Sequence, residues 1–400
     1  MSTCKGHETF SSNAMIDFLV SRYLDSLEAA GLGFLRVFTF VTFQTIAAAV
    51  MSFAIVLAMG PRTIRWLRHQ KIGDNPSFDD ATMDAAMAQK RGTPTMGGLL
   101  IVAAITTTVL LLADLRNAYT WIAVASVLSM GAIGATDDWM KLRAHRLARE
   151  GKIRSTRQGL TTGKKLVVQL ILCGLIGAAT WYVGADTASA SSLMIPGLKT
   201  IALPLGGVGF VVLSIFVLTG STNAVNLTDG LDGLAAGCGA IAAFAFVILS
   251  LIVGDSEWSA TLLYHHVPQA KAMAVVAAAL GGACLGFLWF NAHPASVFMG
   301  DTGSLAVGGL LGYIAIVTRH ELLLVIIGAV FVAEALSVMI QVSYFKYSRK
   351  RTGTGVRLLL MSPLHHHFQK VGWSETQVVV RFWLIAAMLA AVGVASVKLR

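Results

Sequence analysis

Five short clusters of polar residues interrupt a chain that is otherwise apolar. They are Lys90-Arg91-Gly92-Thr93-Pro94-Thr95, Asp137-Asp138, Asn223 to Asp232 (NAVNLTDGLD), Asn291 to Asp301 (NAHPASVFMGD) and His365-His366-His367. Adjacent carboxylates repel, so Asp137 and Asp138 call for a metal ion, a substrate proton or a lysine such as Lys141. At the C-terminal end of a helix they would also oppose its dipole. Asn223, Asn226, Asp229 and Asp232 recur every third residue, which on a helix makes a stripe of two amides and two carboxylates. Amides read a base or sugar hydroxyls, and carboxylates hold ribose or a metal. The plain alternative is an N-cap for the next helix, but a cap needs one such residue.

The fourth cluster combines Asn291, His293, Phe298 and Asp301. Asp301 at the start of a span is either a cap or a ligand for a hard cation. Mg²⁺ needs only one or two carboxylates when phosphate fills its other positions. Phe298, three residues earlier, offers a stacking face for a flat base. Histidines such as His365, His366 and His367 orient phosphate or move protons near neutral pH. Three in a row cannot all face one point on a regular helix. A zinc site is the rival, but no nearby cysteine completes a ligand set. Lys90 with Thr95 suits a pyrophosphate, although lysine beside a membrane is common for topology alone. The stretch Gly159 to Lys165 is one residue short of a P-loop and lacks its final Ser/Thr.

These residues need a frame, and composition supplies it. Hydrophobic residues make up 55% of the 400 and charged residues 13%, where a soluble domain carries about 25% charge. Mean hydropathy is +0.69. The apolar runs are long and unbroken, without the alternation of barrel strands. They predict an all-α polytopic membrane protein with spans at 34–59, 97–113, 119–136, 164–184, 202–220, 233–253, 271–290, 303–318, 322–345 and 377–396. Loops after the odd-numbered spans hold 22 of the 31 Lys and Arg. The positive-inside rule therefore puts those loops in the cytoplasm and both termini outside. All five clusters then lie on the cytoplasmic face, as an active site would. The formal charge of +10 favours anionic lipid heads and anionic substrates. Nucleic acid is a poor partner, because the basic residues sit beside spans.

Residues 1–33 lack a signal peptide's apolar core near the start. They read as an extension, with a surface helix over Leu19 to Leu35. No Pro/Ser linker or repeat divides the remainder, so 34–400 reads as one integral-membrane domain. Four cysteines give no disulfide framework; Cys173, Cys238 and Cys284 read as packing residues.

KRGTPTMGG (90–98), Asp137-Asp138, NAVNLTDGLDGLA (223–235), FNAHPASVFMGDTGSLA (290–306) and PLHHHFQKVGWSETQVVVRFW (363–383) together resemble the bacterial phospho-N-acetylmuramoyl-pentapeptide transferases. The resemblance spans residues 35–398, with the motifs in order. It implies transfer of phospho-N-acetylmuramoyl-pentapeptide from its UDP derivative to undecaprenyl phosphate, with release of UMP. That reaction makes the first lipid intermediate of peptidoglycan, at the bacterial inner membrane. The resemblance further implies ten spans, Mg²⁺ and a homodimer. By it, Asp301 matches the magnesium aspartate, and Asp137 and Asp138 match the pair that handles the prenyl phosphate. Asp232, Asn291 and Phe298 match positions around uridine. Lys90, Thr95, His365 and His366 match the nucleotide-sugar cleft. Two places depart from the family pattern: Gln158 beside Arg157 stands for the usual lysine, and 74–89 replaces a short Gly-Pro-x-x-His segment. The triple-histidine block argues against the related enzymes that use UDP-N-acetylglucosamine. A transporter would carry mid-span ionisable groups and an inverted repeat, whereas here Glu334 is the clearest mid-span acid.

The threading makes a testable statement. Arg149→Cys and Gln369→Cys should resist impermeant thiol reagents added to intact cells, and labelling from outside would overturn it.

Overall fold

The structure is a computed structural model that describes residues 22–23, 28–29, 31–70, 90, 92–149, 159–185, 192–195 and 202–398. Of the expected surface helix over Leu19 to Leu35, residues 19–21, 24–27 and 30 lie outside them and 33–35 fall in a 3₁₀ helix; the segment 74–89 and positions 157–158 also lie outside. A 3₁₀ helix, Gly33–Thr39, leads into α1 (Val41–His69). There follow α2 (Gly98–Leu112), α3 (Ala118–Arg149), α4 (Thr162–Gly184), β1 (Ser192–Met194), β2 (Ala202–Pro204), α5 (Gly206–Thr228), α6 (Leu234–Gly254) and α7 (Ser256–Thr261). The chain continues with α8 (Lys271–Asn291), α9 (Gly300–Val317), α10 (Glu321–Ile327), α11 (Ala329–Thr352), α12 (Leu364–Val371) and α13 (Glu375–Ser396). Among the described residues, nine helices are long and apolar enough to cross a membrane, and α2 is a shorter apolar helix. The protein is thus an all-α polytopic membrane protein. Its described sheet is one antiparallel hairpin, pairing Leu193 with Leu203.

Several boundaries differ from the hydropathy reading, each for a physical reason. Span five begins at Gly206, because Ala202–Pro204 is held in the hairpin. It runs on to Thr228, so Asn223 and Asn226 lie on its last turns while Asp229 and Asp232 lie beyond its end. The expected four-residue stripe is therefore broken. Gly233, in the left-handed region at φ 81°, redirects the chain into α6. Asp137 and Asp138 do not end their helix. α3 continues to Arg149, since the residues that follow, among them Met140, Lys141, Leu142 and Arg143, are good helix formers. The ninth span is two helices meeting at Gly328, and α11 reaches Thr352 before the left-handed Gly353 stops it.

α9 lies at the centre: every residue from Thr302 to Val317 is buried. Small residues let its neighbours come close, as membrane helices require where lipid is as apolar as leucine. A Cβ at Gly98 of α2 would overlap the backbone of Gly303, and one at Gly134 of α3 would overlap the Asp301 carbonyl. α8 packs on α1 in the same way, with Gly282 against the Ala49 carbonyl. Cys173, Cys238 and Cys284 are free and buried.

The Gly98–Gly303 contact is open to test. Gly98→Ala should cost about 1–3 kcal/mol, the usual penalty for overfilling a packed site. The check is the thermal midpoint of the purified protein; an unshifted midpoint would show that the helices can part freely.

Candidate active site

The five polar clusters meet at one end of the bundle, in two adjoining charge networks. The first is built on the start of α9. Its N-cap, Met299, offers no side-chain acceptor. Asp138, reaching over from α3, accepts instead. Its Oδ1 takes the Asp301 N–H at 3.2 Å, and its Oδ2 takes the Thr302 N–H at 3.0 Å and the Thr302 hydroxyl at 2.7 Å. An anion at a helix's positive end is stabilising, and here it also fixes Asp301. Gly300, at φ 70°, permits the approach, since a Cβ there would sit 2.7 Å from Asp138 Oδ2 and 2.9 Å from Thr95 Oγ1.

Asp301 is surrounded by donors. Lys165 Nζ lies 2.5 Å and Lys141 Nζ 3.2 Å from its Oδ2, and Asn226 donates to its Oδ1 at 3.0 Å. Asn226 also donates to Ser304 Oγ at 2.9 Å. Asp137 shares the cations, at 2.8 Å from Lys141 and 3.9 Å from Lys165, and accepts from the Leu160 N–H at 2.7 Å. Burial, reinforced by the Asp301 and Asp138 carboxylates, raises the Asp229 carboxyl well above the usual range. Four carboxyl groups, Asp137, Asp138, Asp229 and Asp301, thus gather beside two lysines, and their mutual repulsion is part of what lifts Asp229. That set of oxygen donors suits a hard divalent cation. Asn223 faces elsewhere, donating to Gln169 of α4 at 3.1 Å and to the Thr219 carbonyl at 2.8 Å.

The second network centres on Asp232. Lys90 Nζ lies 2.7 Å from Asp232 Oδ1 and 2.5 Å from Glu375 Oε1. Glu375 also accepts the Asp232 N–H at 2.9 Å. Asp232 Oδ2 meets His293 Nδ1 at 2.9 Å and the Ala295 N–H at 3.1 Å. Among the described residues, Asp232, His293 and Glu375 bring ligand atoms within 4.8 Å of one another, close enough to share a metal ion. The Lys90 ammonium already lies against two of them, so the trio carries its own cation. Asn291 spends both ends of its amide on framework, accepting from the Gly233 N–H at 3.0 Å and donating to the Val297 carbonyl at 2.9 Å.

A strip of backbone joins the two networks. Phe298 N–H donates to the Pro94 carbonyl at 2.8 Å, and Gly97 N–H returns to the Phe298 carbonyl at 2.8 Å. This ties the segment of Lys90 and Thr95 to the one that carries the half-buried Phe298 and Asp301. The histidines diverge, as a helix demands. His365 is buried against Gly230, and His366 packs edge-on to it at 4.2 Å between ring centroids. Burial, then His365 and Lys90, lowers His366 to about 4, so its ring is neutral near pH 7. His367 turns to its own loop, accepting from the Leu360 N–H at 3.2 Å.

Sequence reasoning passed over Lys165, Glu375, Thr302 and Ser304. Lys165 stood in the failed P-loop pattern, where its only signal was a positive charge beside a span. Glu375 follows Ser374 in a capping box, so it reads as an ordinary first-turn acid. Only the fold brings it to Lys90, 285 residues away in the chain.

Two stretches of the chain that build this site match known families. Residues 120–319 match the model of glycosyl transferase family 4. Residues 90–102, which hold Lys90 and Thr95, match phospho-N-acetylmuramoyl-pentapeptide-transferase signature 1. The chain belongs to glycosyl transferase family 4, the phosphoglycosyl transferases that include the phospho-N-acetylmuramoyl-pentapeptide and polyprenyl-phosphate hexosamine-1-phosphate transferases.

Proposed function

We propose that the protein transfers phospho-N-acetylmuramoyl-pentapeptide from its UDP derivative to undecaprenyl phosphate in the bacterial inner membrane. UMP leaves, and the product is the first lipid intermediate of peptidoglycan. The carrying observation is the junction of the two networks. A cluster of lysines and aspartates fit for phosphates adjoins the network of Lys90, Asp232 and Glu375, the half-buried Phe298 lies on the backbone strip that joins them, and the segment holding Lys90 bears the signature. The rest follows from the chemistry. An oxygen of the lipid phosphate attacks the phosphorus attached to the amino sugar, and the bond to UMP breaks with its electron pair. Phosphoryl transfer asks mainly for alignment and charge neutralisation, and Lys141 and Lys165 supply positive charge beside Asp301. Asp137 takes a proton from the lipid phosphate, whose second pKa lies near ~6 by analogy with phosphoserine. Attack by an aspartate first, through a covalent intermediate, is the alternative route. Asp138 is occupied in holding α9, so its part is to position Asp301.

Mg²⁺ is the proposed cofactor, with Asp301 and its oxygen neighbours Asp229 and Asp137 to hold it; when bound, it offsets charge developing on the departing phosphate. The histidine in the Asp232 trio suits a softer ion, which favours Asp301 as the Mg²⁺ ligand. On the nucleotide side, Phe298 stacks on uracil while Lys90, Thr95 and Asp232 line the cleft with His366. Pairing of two copies into a homodimer belongs to the same proposal.

The direct test offers purified protein undecaprenyl phosphate, Mg²⁺ and labelled UDP-sugars. UMP should appear with the muramoyl-pentapeptide donor and not with UDP-N-acetylglucosamine; the reverse preference would overturn the assignment. Asp301→Asn should lower turnover by roughly a hundred- to a thousandfold, the scale for removing a group that stabilises developing charge. Its thermal midpoint should show a folded protein, and near-normal turnover at saturating Mg²⁺ would remove Asp301 from the metal. Phe298→Ala should raise the nucleotide-sugar KM by about ten- to a hundredfold, since stacking is worth ~1–3 kcal/mol. An unchanged KM would refute the stacking.

A further inference from the structure

An acid in the middle of a membrane span needs a reason, and Glu334 of α11 is wholly buried. It belongs to a stripe. Glu334, Gln341 and Ser348 recur at seven-residue spacing, which keeps them on one face of a helix, and all three are buried. Each holds the backbone of the segment that returns along α11 in the opposite direction. Ser348 Oγ accepts the Val356 N–H at 2.8 Å. Gln341 Oε1 accepts the Leu358 and Leu359 N–H groups at 3.0 and 2.9 Å, and its Nε2 donates to the Leu359 carbonyl at 3.2 Å. Glu334 Oε1 accepts the His365 N–H at 3.1 Å. The stripe covers about 20 Å of helix at 1.5 Å per residue, and it ends at the histidines.

The last contact supplies something α12 lacks. Its N-cap is Pro363, which has no side-chain acceptor for the first-turn N–H groups. Glu334 is the cap brought from another helix, a negative charge at the positive end. Its Oε2 also lies 3.1 Å from His365 Nδ1, close but off the line of the ring N–H. On the other side of that ring is Gly230, where a Cβ would collide with Nε2. Gly230 stands in the turn between Asp229 and Asp232.

We propose that Glu334 is a positioning residue of the transferase: from within the span it caps the histidine helix and, through His365 and Gly230, sets the turn that carries Asp232 into the nucleotide pocket. The inference rests on the reaction proposed above. It separates the two substrates, because the ring supports the nucleotide side and touches neither Asp137 nor Lys165.

Glu334→Gln keeps an acceptor for the N–H but removes the charge. It should raise the KM for the nucleotide sugar by roughly tenfold to a hundredfold, the range for groups that orient another functional side chain. The KM for undecaprenyl phosphate should stay unchanged. A merely structural role would shrink the active fraction, lowering kcat and sparing both KM values; that outcome, or wild-type kinetics, overturns the proposal. In a His365→Asn background the same substitution should add nothing, and multiplying losses would also overturn it. If Glu334→Gln fails to accumulate, Gln341→Met should give a smaller rise in the same KM alone, and wild-type kinetics there would count against the stripe. Hydrogen exchange over residues 363–371 needs no substrate. Glu334→Ala should speed exchange at His365, and unchanged exchange would sink the cap even in a protein that released no UMP. Absence of UMP from the wild-type protein would instead refute the reaction.

Discussion

The site depends on one carboxylate that is bound to the start of a neighbouring helix. Asp138 lies across the first turn of α9, taking two backbone N–H groups and one hydroxyl. Without it the N-terminal donors of a helix deep in an apolar bundle would have no partner, and each orphan costs about 1–3 kcal/mol. The same contact fixes the direction of the Asp301 side chain, and hence where Lys141 and Lys165 converge. Gly134 and Gly300 are the conditions of that approach, since a Cβ at either would push α3 and α9 apart.

Charge is handled by sharing it. Asp137 and Asp301 share Lys141 and Lys165; Asp232 and Glu375 share Lys90. Buried ions are expensive alone, so a membrane enzyme that must present several to a phosphate keeps them in mixed groups. An incoming anionic substrate then exchanges one set of partners for another instead of meeting bare charge.

Much of this was legible in the chain. Hydropathy located the nine described helices long enough to cross a membrane and the shorter α2, because lipid enforces a long apolar run for each. The polar clusters marked the residues that the fold gathers at one end of the bundle, because carboxylates beside hydrocarbon stand out. Helix ends were harder: α3 runs on past Asp138 because helix-forming residues continue, and no apolar signal marks that. The partners were hidden for another reason. Lys165, Glu375 and Glu334 meet the site across gaps of 136, 285 and 31 residues. Nothing local distinguishes them from a topological lysine, a first-turn acid or a stray mid-span charge. The seven-residue spacing of Glu334, Gln341 and Ser348 was visible, but its meaning needed the segment that lies on it.

The burial of α9 bears on how the protein is made. This helix has almost no lipid-facing surface and opens with Asp301, Thr302 and Ser304, which makes it a poor candidate to rest alone in a bilayer. Its stability comes from α2, α3 and α5 packed around it, all synthesised earlier. The segment that carries the central aspartate is therefore held in place only once its enclosure exists. A chain unfinished before α9 would lack the charge cluster, whereas one that has reached Val317 already holds the helices that enclose it.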